Sequence, residues 1–267
     1  MKPYYEHKGI TIYRGDCREV LGCLPVAFCR ACRCELVDEM VLAIHATAGH
    51  DVGPLIDAVM TDPPYGIRDG MFWRENGDSL ENWDKAGQNA EILGWRAFAA
   101  KALREDGAFV EFCSAAFERL FSVCDNHRAV GLTLWTRFLI VKSSPAPTVR
   151  PTFASAFEEA VISYKGKRRW FGGGYTPNRW IGQTPNGSCD GWGHPTEKPI
   201  EPLLSLTKAL TQEGELLLDP FMGSATTLEA AKKLNRRAIG IEIEEKYCEI
   251  AAKRLSQEVL DFSEVTP

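Results

Sequence analysis

The chain has 267 residues, a hydrophobic content of 45% and a formal net charge of −5 at neutral pH. This length and apolar content suffice to bury one large core, so no second folded domain is required. The sequence has no charged-then-apolar leader and no apolar run long enough to cross a bilayer, so we expect a cytoplasmic protein. Its nine cysteines, an odd number, favour free thiols over a disulfide framework.

The predicted secondary structure alternates between strands and helices. Such alternation is typical of a mainly parallel sheet with helices on both faces. In chain order we predict a strand at Ile10–Tyr13, a strand at Leu55–Thr61, a helix at Asn89–Arg104, a strand at Ala108–Cys113, a helix at Ala115–Cys124, strands at Leu132–Val141 and Ala160–Tyr164, a helix from Pro199 to about Gln212, a strand at Leu216–Leu218, a helix at Leu228–Leu234 and a strand at Ala238–Ile241.

The motif Asp62-Pro63-Pro64-Tyr65 directly follows the predicted strand Leu55–Thr61. The prolines restrict the backbone and remove two N–H donors, so their carbonyls and the Asp62 carboxylate can accept hydrogen bonds from one exocyclic amine. Tyr65 offers a flat face for stacking, and acceptors combined with an aromatic ring are how a flipped nucleobase is bound. We therefore predict a catalytic site here, although a proline-rich turn is the simpler alternative.

A second motif, Asp219 to Thr227, lies between the strand Leu216–Leu218 and the helix Leu228–Leu234. A strand, a turn of small residues and a helix in this order are typical of a nucleotide-type cofactor loop. Gly223 lets the backbone approach a ligand, and the N–H groups at the helix N-terminus can receive its carboxylate. Glu242, about 20 residues further on, stands where a ribose hydroxyl is bound. The alternative is an ordinary strand-loop-helix-strand unit with an exposed Glu242.

Three blocks of the sequence together resemble the amino-group DNA methyltransferases of the permuted (beta) class. Asp62 to Gly66 is similar to the catalytic motif of that family, and His194 to Pro199, which reads HPTEKP, is similar to a second motif. Asp219 to Thr227 is similar to the family's DPF-x-GS-G-TT cofactor loop. Weaker similarity extends to Gly15-Asp16-Cys17, where the family has a pair that contacts the cofactor adenine, and to Ile241–Leu255, which resembles its second cofactor strand and helix.

The resemblance implies a DNA methyltransferase of a bacterium or phage that uses S-adenosylmethionine. It implies catalytic roles for Asp62, Pro63, Pro64 and Tyr65. It implies cofactor-binding roles for Asp16, His194, Thr196, Lys198, Asp219, Pro220, Phe221, Gly223, Ser224 and Glu242. The implied partners are double-stranded DNA, a second copy of the chain in a homodimer, and a cognate restriction endonuclease.

The fold that the resemblance implies is α/β, with one doubly wound, mainly parallel, Rossmann-like sheet of seven strands whose last strands are antiparallel. A single methyltransferase domain would span 1–267. Within it we expect a catalytic half at 1–136, a target-recognition region at 137–193 and a cofactor-binding half at 194–267, so that the catalytic half comes first.

Basic charge is concentrated in the middle of the chain, although the net charge is negative. Between Arg137 and Lys198 there are nine Lys or Arg against four Asp or Glu. Within this interval a basic run precedes Trp170 and Phe171, and such residues contact phosphates and wedge between bases in DNA-binding proteins. A solvated hairpin tip explains the same pattern equally well. The predicted DNA-binding residues are Lys165, Lys167, Arg168 and Arg169.

Ala225 stands where the family usually has a second glycine. A methyl group there would crowd the cofactor if the backbone needed a positive φ. Because alanine fits readily in the first turn of a helix, we expect it to be tolerated.

The cysteine-rich stretch before the catalytic motif raises a zinc hypothesis. Cys29 and Cys32, with the later His45 and His50, have zinc-ligand residue types. Cys34 follows too closely, however, and no second Cys pair appears, so we predict that these cysteines act as small hydrophobic residues and that the protein holds no metal.

Adenine N6 is the predicted target, because the family's Asp-Pro-Pro-Tyr form is found mostly with adenine, whereas the cytosine N4 enzymes more often have Ser first. Cytosine N4 methylation remains the alternative, and a DNA-binding relative that no longer methylates is a further one. A protein glutamine methyltransferase also uses a Pro-Pro-Tyr site, but its cofactor loop precedes that site, and here the loop follows it. The chain lacks the Pro-Cys dipeptide that a cytosine C5 enzyme needs.

Overall fold

A computed structural model of the chain describes residues 1–24, 56–64, 93–113, 117–143, 156–174, 176–184 and 197–257, together with the backbone of three short strands between residues 27 and 53. The strands are β1 (Tyr5–His7), β2 (Ile10–Arg14), β3 (Ala27–Cys29), β4 (Cys34–Leu36), β5 (Val52–Gly53), β6 (Ile56–Thr61), β7 (Leu103–Cys113), β8 (Thr133–Lys142), β9 (Phe157–Tyr164), β10 (Arg179–Gly182), β11 (Leu216–Asp219) and β12 (Arg237–Glu242). The helices are α1 (Cys17–Cys23), α2 (Leu93–Ala102), α3 (Phe117–Ala129), α4 (Ile200–Leu210), α5 (Thr226–Lys233) and α6 (Glu245–Ser256).

The main sheet of the described residues has nine strands in the order β1-β2-β12-β11-β6-β7-β9-β8-β10. Strands β2, β12, β11, β6 and β7 run parallel to one another. Strand β9 lies antiparallel between β7 and β8, and the two edge strands add β1 antiparallel to β2 and β10 parallel to β8. A separate antiparallel sheet joins β3 to β4 and β5.

The chain winds in opposite directions on the two sides of the β11–β6 pair. From β6 it passes through α2 to β7, whereas from β11 it passes through α5 to β12, so successive strands are added on opposite sides. Open α/β sheets bind ligands in the crevice outside the carboxyl ends of their strands at such a switch point. The two strand ends that meet here carry Asp62 and Asp219.

Helices cover both faces of the sheet. Apolar residues of α1 and α2 pack on one face and those of α4, α5 and α6 on the other, while α3 covers a smaller cluster beside β9. In β11, Leu217 points to one layer and Leu216 and Leu218 to the other, which is why the strand is a continuous apolar run. None of the helices in the described ranges combines the length and apolar character that crossing a membrane needs.

The predicted α/β class with a mainly parallel sheet is confirmed, but the sheet is larger than the seven strands expected. The two additional strands lie at its edges. Strand β1 joins β2 through a tight turn in which Lys8 and Gly9 have positive φ values of 47° and 79°, the hairpin geometry whose twist matches the strands. Strand β10 comes from the Gly- and Pro-rich interval, where its four residues are too few for a period to be recognised.

The predicted helix Asn89–Arg104 is partly wrong at its C-terminal end. Helix α2 ends at Ala102, and Leu103 already pairs with Ile56 as the first residue of β7. Leu103 is fully buried, so sheet pairing and burial override the helical spacing of its side chain. Residues 89–92 lie outside the described part of the chain.

Candidate active site

Acidic residues follow four neighbouring parallel strands at the carboxyl edge of the sheet. Asp62 directly follows β6, Asp219 ends β11, Glu242 ends β12 and Asp16 comes two residues after β2. Thr61 donates a hydrogen bond of 2.7 Å from Oγ1 to Asp219 Oδ1, which ties the two central strand ends together. The structure thus brings the predicted catalytic aspartate and three predicted cofactor residues to one edge.

The Asp62 carboxylate is paired with Lys198. The Lys198 ammonium forms an ion pair with Asp62 Oδ2, across 136 positions of sequence. Pro63 is buried and Pro64 is exposed. Lys198, for which the resemblance implies a cofactor role, therefore contacts the predicted catalytic residue.

The loop after β11 turns tightly into α5 and is tied to the end of β12. Gly223 has a φ of 50°, and its N–H donates a hydrogen bond of 3.1 Å to Glu242 Oε2. Glu242 Oε1 accepts a second hydrogen bond of 2.9 Å from the N–H of Glu244. Burial raises the pKa of the Glu242 carboxyl above its ordinary value despite these hydrogen bonds. Glu242 is thus a part-buried acceptor beside the loop.

Ala225 does not lie in the first turn of the helix, as the sequence led us to expect. It is the N-cap of α5, in the left-handed conformation with φ 65° and ψ 35°, and its side chain is fully buried. An alanine in this region costs roughly 1–2 kcal/mol relative to a right-handed conformation. The loop therefore keeps the backbone of a glycine at this position and bears the strain of a methyl group.

Replacing Ala225 with glycine should leave the free energy of unfolding unchanged or raise it by up to about 1 kcal/mol, because relief of the strain offsets the lost methyl contact and the added freedom of the unfolded chain. The matched control is Ala231→Gly, an equally buried alanine inside α5, which should lose about 1 kcal/mol or more. Urea unfolding of both variants measures the difference. Equal losses at the two positions would contradict the assigned strain.

Arg254 holds the cofactor loop from the side of α6, and no sequence motif pointed to it. Its guanidinium donates to the carbonyl of Ser224 at 3.1 Å and to Oγ1 of Thr226 at 3.1 Å, one on each side of Ala225. It also forms ion pairs with Glu197, at 2.8 Å, and with Glu229. Arg254 is 6% exposed, so these are buried, charge-assisted contacts. An arginine in the last turn of a helix is so common that only the tertiary contacts reveal this role.

Asp219 is a buried carboxyl with several hydrogen-bond donors around it. Burial raises its pKa to about 7, although hydrogen bonds from Thr61, Thr227 and the N–H of Phe221 act in the opposite direction. The folded state therefore binds a proton at Asp219 more tightly than the unfolded state does.

Protein stability should fall as pH rises from about 4 towards 7, because over this interval the folded state keeps the Asp219 proton that the unfolded state has already lost, so unfolding releases a proton. Asp219→Asn removes this titration. Relative to the wild type, the variant should gain roughly 3 kcal/mol of unfolding free energy between pH 5 and pH 8. Urea unfolding of the two proteins at both pH values tests this, and parallel pH dependences would contradict it.

Asp16 caps the helix that follows β2. Its carboxylate accepts hydrogen bonds from the N–H of Arg18 at 2.8 Å and from Arg18 Nε at 2.9 Å. The pairing with Arg18 lowers the pKa of Asp16. The N–H of Gly15 donates to the carbonyl of Glu242 at 2.9 Å, so the Asp16 turn lies beside the end of β12.

The other predicted cofactor residues divide between the loop and the undescribed part of the chain. Pro220 and Ser224 are buried in the loop. Phe221 is half-buried, with its ring edge-on to Trp95 at 5.1 Å between centroids. The predicted site residues that lie outside the described residues are Tyr65, His194 and Thr196.

The predicted DNA-binding run lies at the amino ends of the parallel strands, whereas Asp62 lies at their carboxyl ends. It follows β9, which is antiparallel to β7, so Lys165 comes near the start of β7, where its N–H donates to the Gly107 carbonyl. Lys165 Nζ donates to the carbonyls of Ala100 and Leu103. Lys165 is thus held within the fold by the N-terminal side of β7.

The remaining members of the run differ in exposure. Arg169 is part-buried and bonded to Glu215 and the carbonyl of Asp106. Arg168 is exposed and stacks on the Trp135 ring at 4.5 Å, and Lys167 is exposed.

A buried polar cluster resembles a hydrolase triad without serving as one. His127 contacts Ser163 Oγ at 2.7 Å through Nδ1 and Glu111 Oε2 at 3.1 Å through Nε2, and Arg96 pairs with Glu111. All four residues are at least nine-tenths buried between the sheet and its helices. A substrate cannot reach the serine, so this network is structural.

The described residues fit S-adenosylmethionine by the chemistry of their groups. Glu242 ends β12, where its carboxylate oxygens would be the acceptors for ribose hydroxyls, as at the corresponding strand end of other nucleotide-binding sheets. Phe221 offers a half-buried aromatic face and Gly223 a backbone without a side chain. The N-terminus of α5 favours the cofactor's carboxylate. These groups lie next to Asp62, across the β11–β6 pair.

Comparison with known proteins agrees with this geometry. The family described as DNA methylase, which covers N6 and N4 enzymes, matches residues 56–253. The chain is similar to the Type II methyltransferase M2.DpnII of Streptococcus pneumoniae, with 28% identity over 76% of this chain and 83% of the relative. It is also similar to the Type II methyltransferase M.HinfI of Haemophilus influenzae, with 27% identity over 92% of this chain and 68% of the relative.

Solved structures share the fold. The complex of M1.HpyAVI with SAM is matched with a TM-score of 0.66 and 24% identity, over 93% of this chain and all of the other. The PvuII DNA methyltransferase, described as cytosine-N4-specific, is matched with a TM-score of 0.70 and 19% identity, over 97% and 91% of the two chains. With the family match over most of the sequence, the chain belongs to the N6/N4 DNA methylase family and is an S-adenosylmethionine-dependent DNA methyltransferase.

Proposed function

We propose that this enzyme methylates the N6 amine of adenine within a specific sequence of duplex DNA, by flipping the base out of the helix and transferring the methyl group directly. The observation that carries the proposal is the position of Asp62 at the switch point of the sheet, next to the cofactor loop across the β11–β6 pair. This arrangement puts an acceptor for an exocyclic amine beside the groups that fit the methyl donor.

The difficulty of the reaction lies in the amine, whose lone pair is delocalised into the base. The Asp62 carboxylate and the Pro63 carbonyl accept hydrogen bonds from the two amine protons, which draws the nitrogen towards tetrahedral geometry and localises the lone pair. Tyr65 stacks on the flipped base. When bound, S-adenosylmethionine supplies an electrophilic methyl group on a good leaving group. Positioning by the protein therefore supplies much of the acceleration, and no covalent enzyme intermediate forms.

Adenine is preferred over cytosine because the first residue of the motif is Asp62 rather than a serine. The similarity in fold to a cytosine-N4-specific enzyme does not separate the two bases, since the sequences are only 19% identical. His194 and Thr196 remain proposed cofactor residues on the strength of the resemblance. The division into catalytic, target-recognition and cofactor regions is likewise a proposal. The C-terminal part of β8 and all of β9 and β10 lie within 137–193 and belong to the main sheet.

The four proposed DNA-contact residues differ in their exposure to solvent. Lys167 and Arg168 are exposed, so their charges are accessible to phosphates, and we keep both as proposed contacts. Lys165 and Arg169 already hold carbonyls and Glu215, so their charges are less available to DNA. A homodimer and a companion restriction endonuclease stay predictions.

The test is incubation of the purified protein with tritiated S-adenosylmethionine and mixed-sequence duplex DNA, followed by digestion to nucleosides and chromatography. Label in N6-methyladenosine supports the proposal. Label in N4-methylcytosine overturns the choice of base and leaves the transfer mechanism standing. Absence of label in DNA, with the cofactor still bound, favours the alternative of a DNA-binding relative that no longer methylates, and a broad panel of genomic DNA then excludes a rare recognition sequence.

A further inference from the structure

Four alternating charges cross the carboxyl edge of the sheet at the active site. Lys198 Nζ pairs with Asp62 and lies 3.0 Å from Glu158 Oε2. Glu158 in turn lies 2.7 Å, through Oε1, from Lys142 Nζ. The order Asp62, Lys198, Glu158, Lys142 is thus negative, positive, negative, positive.

The chain of charges is built from segments that are far apart in sequence. Lys142 ends β8, Glu158 is the second residue of β9, and Lys198 lies two residues before α4. The N–H of Lys142 donates to the carbonyl of Ala156 at 2.7 Å, which holds β8 and β9 together at this end. The Lys198 ammonium also lies 5.4 Å from the centre of the Phe112 ring, near the end of β7. Strands β7, β9 and β8, which are adjacent in the sheet, therefore supply the residues that hold the Lys198 side chain in place.

Glu158 and Lys198, the two central residues of this row of four charges, both stay charged at neutral pH. Burial alone would raise the pKa of Glu158, but Lys198 and Lys142 outweigh it and lower the value to about 2. Burial alone would lower the pKa of Lys198, but Asp62 and Glu158 outweigh it and raise the value to about 12. The Lys198 side chain is only 10% exposed, so solvent screens these contacts weakly.

We propose that Lys198 is a positioning residue for methyl transfer, which orients the Asp62 carboxylate towards the target amine, and that Glu158 and Lys142 hold Lys198 in place. An ammonium on Oδ2 sets the plane of the carboxylate and so the direction in which it accepts hydrogen bonds. It also separates Asp62 from Glu158, two carboxylates that would otherwise repel each other. This proposal rests on the proposed function in one respect: it requires that Asp62 accepts a hydrogen bond from the target amine, whether that amine belongs to adenine or to cytosine.

This role differs from the cofactor contact that the resemblance implies for Lys198, and the two make different kinetic predictions. A cofactor contact should appear in the dissociation constant for S-adenosylmethionine. A residue that orients Asp62 should appear in kcat, because small misplacements of a reacting group cost about 10²-fold in rate.

The experiment compares Lys198→Met with the wild type and with Lys208→Met, a control on the exposed side of the neighbouring helix α4. We measure total methyl transfer to DNA under single-turnover conditions and cofactor affinity by calorimetry. Lys198→Met should lose about 10²-fold or more in rate while its affinity for S-adenosylmethionine changes less than about threefold. Lys198→Arg, which keeps the positive charge, should recover part of the rate, and Lys208→Met should behave as the wild type.

Two further variants separate positioning from loss of folding. The double variant Lys198→Met with Glu158→Gln also removes the charge of Glu158, which in the single variant has lost its contact with Lys198 and keeps its contact with Lys142, so it should melt near the wild type and remain slow. In an Asp62→Asn background, where the ion pair is absent, adding Lys198→Met should lower the rate of methyl transfer by less than a further factor of about three.

A tenfold or greater loss of cofactor affinity at an unchanged rate would overturn the proposal, as would a full additional loss in the Asp62→Asn background. Label in cytosine instead of adenine would revise the proposed base and leave the result for Lys198 unaffected, since total transfer is scored.

Discussion

Asp62→Ala should reduce methyl transfer by about 10²–10³-fold while leaving affinity for S-adenosylmethionine within a few-fold of the wild type. In the proposed mechanism the carboxylate accepts a hydrogen bond from the amine as charge develops, and loss of one such hydrogen-bonding group commonly costs about 10²–10³-fold. Loss of the charge also leaves the buried Lys198 with one carboxylate fewer. Single-turnover transfer and calorimetric titration with the cofactor measure the two quantities.

The matched control is Asp57→Asn, at the other end of the same strand. Asp57 accepts hydrogen bonds of 2.8 Å from Arg104 and from the N–H of Leu216, so it ties β6 to its neighbours far from the reaction. That variant should melt at a lower temperature and transfer methyl groups at the wild-type rate. Wild-type transfer by Asp62→Ala would refute the assignment of Asp62, and a parallel collapse of cofactor binding would show that the site had lost its structure.

Arg254→Met should lower the free energy of unfolding by about 3–5 kcal/mol, because it removes a buried guanidinium that forms ion pairs with both Glu197 and Glu229. For a chain of this length that corresponds to a fall of roughly 10 °C in Tm. The loss should also weaken cofactor binding about tenfold, since Arg254 bonds to the loop on both sides of the strained Ala225. Thermal unfolding with and without S-adenosylmethionine measures both effects.

Lys253→Met is the control for Arg254, because it removes an exposed charge from the adjacent position of the same helix. It should change Tm by no more than a degree or two. If Arg254→Met lowered Tm but left the cofactor-induced increase in Tm intact, Arg254 would be a structural residue without influence on the loop. Equal Tm values for the two variants would contradict the buried ion pairs.

Adjacent residues connect the two halves of the site. Glu197 binds Arg254, which holds the cofactor loop, and Lys198 binds Asp62, which we propose accepts the amine. In the proposed mechanism these adjacent residues would link the methyl-donor side of the site to the acceptor side. This explains physically why a Glu-Lys pair in the HPTEKP segment, which lies between the two motifs in sequence, belongs to the same site.

Local patterns identified most of the elements that form the site. The apolar runs before Asp62 and Asp219, and the strand that ends at Glu242, appear where they were predicted, because their side chains are buried on both sides of the sheet. The turn into α5 was recognised from Gly223, which has the positive φ that glycine accommodates. The conformation of Ala225 was not, because nothing in an alanine signals a positive φ.

Other features were beyond prediction because they depend on contacts between distant residues. The pairing of Lys198 with Asp62 spans 136 positions, and that of Glu111 with Arg96 and His127 depends on the packing of helices on one face of the sheet. The basic run at Lys165 has the composition of a phosphate-binding segment, yet its location follows from the antiparallel direction of β9. The composition of a segment shows that it is basic, but it does not show at which end of the strands the segment lies.

The sequence by itself determined the family and the α/β architecture, because these are encoded in short runs of residues whose spacing and side-chain types act locally. Only the tertiary structure decided which groups meet: the Asp62–Lys198–Glu158 chain, the hold of Arg254 on the cofactor loop and the separation of the basic run from the active site. The physical reason is that ion pairs and hydrogen bonds act over a few ångströms in space, whereas sequence position fixes that distance only for near neighbours in the chain.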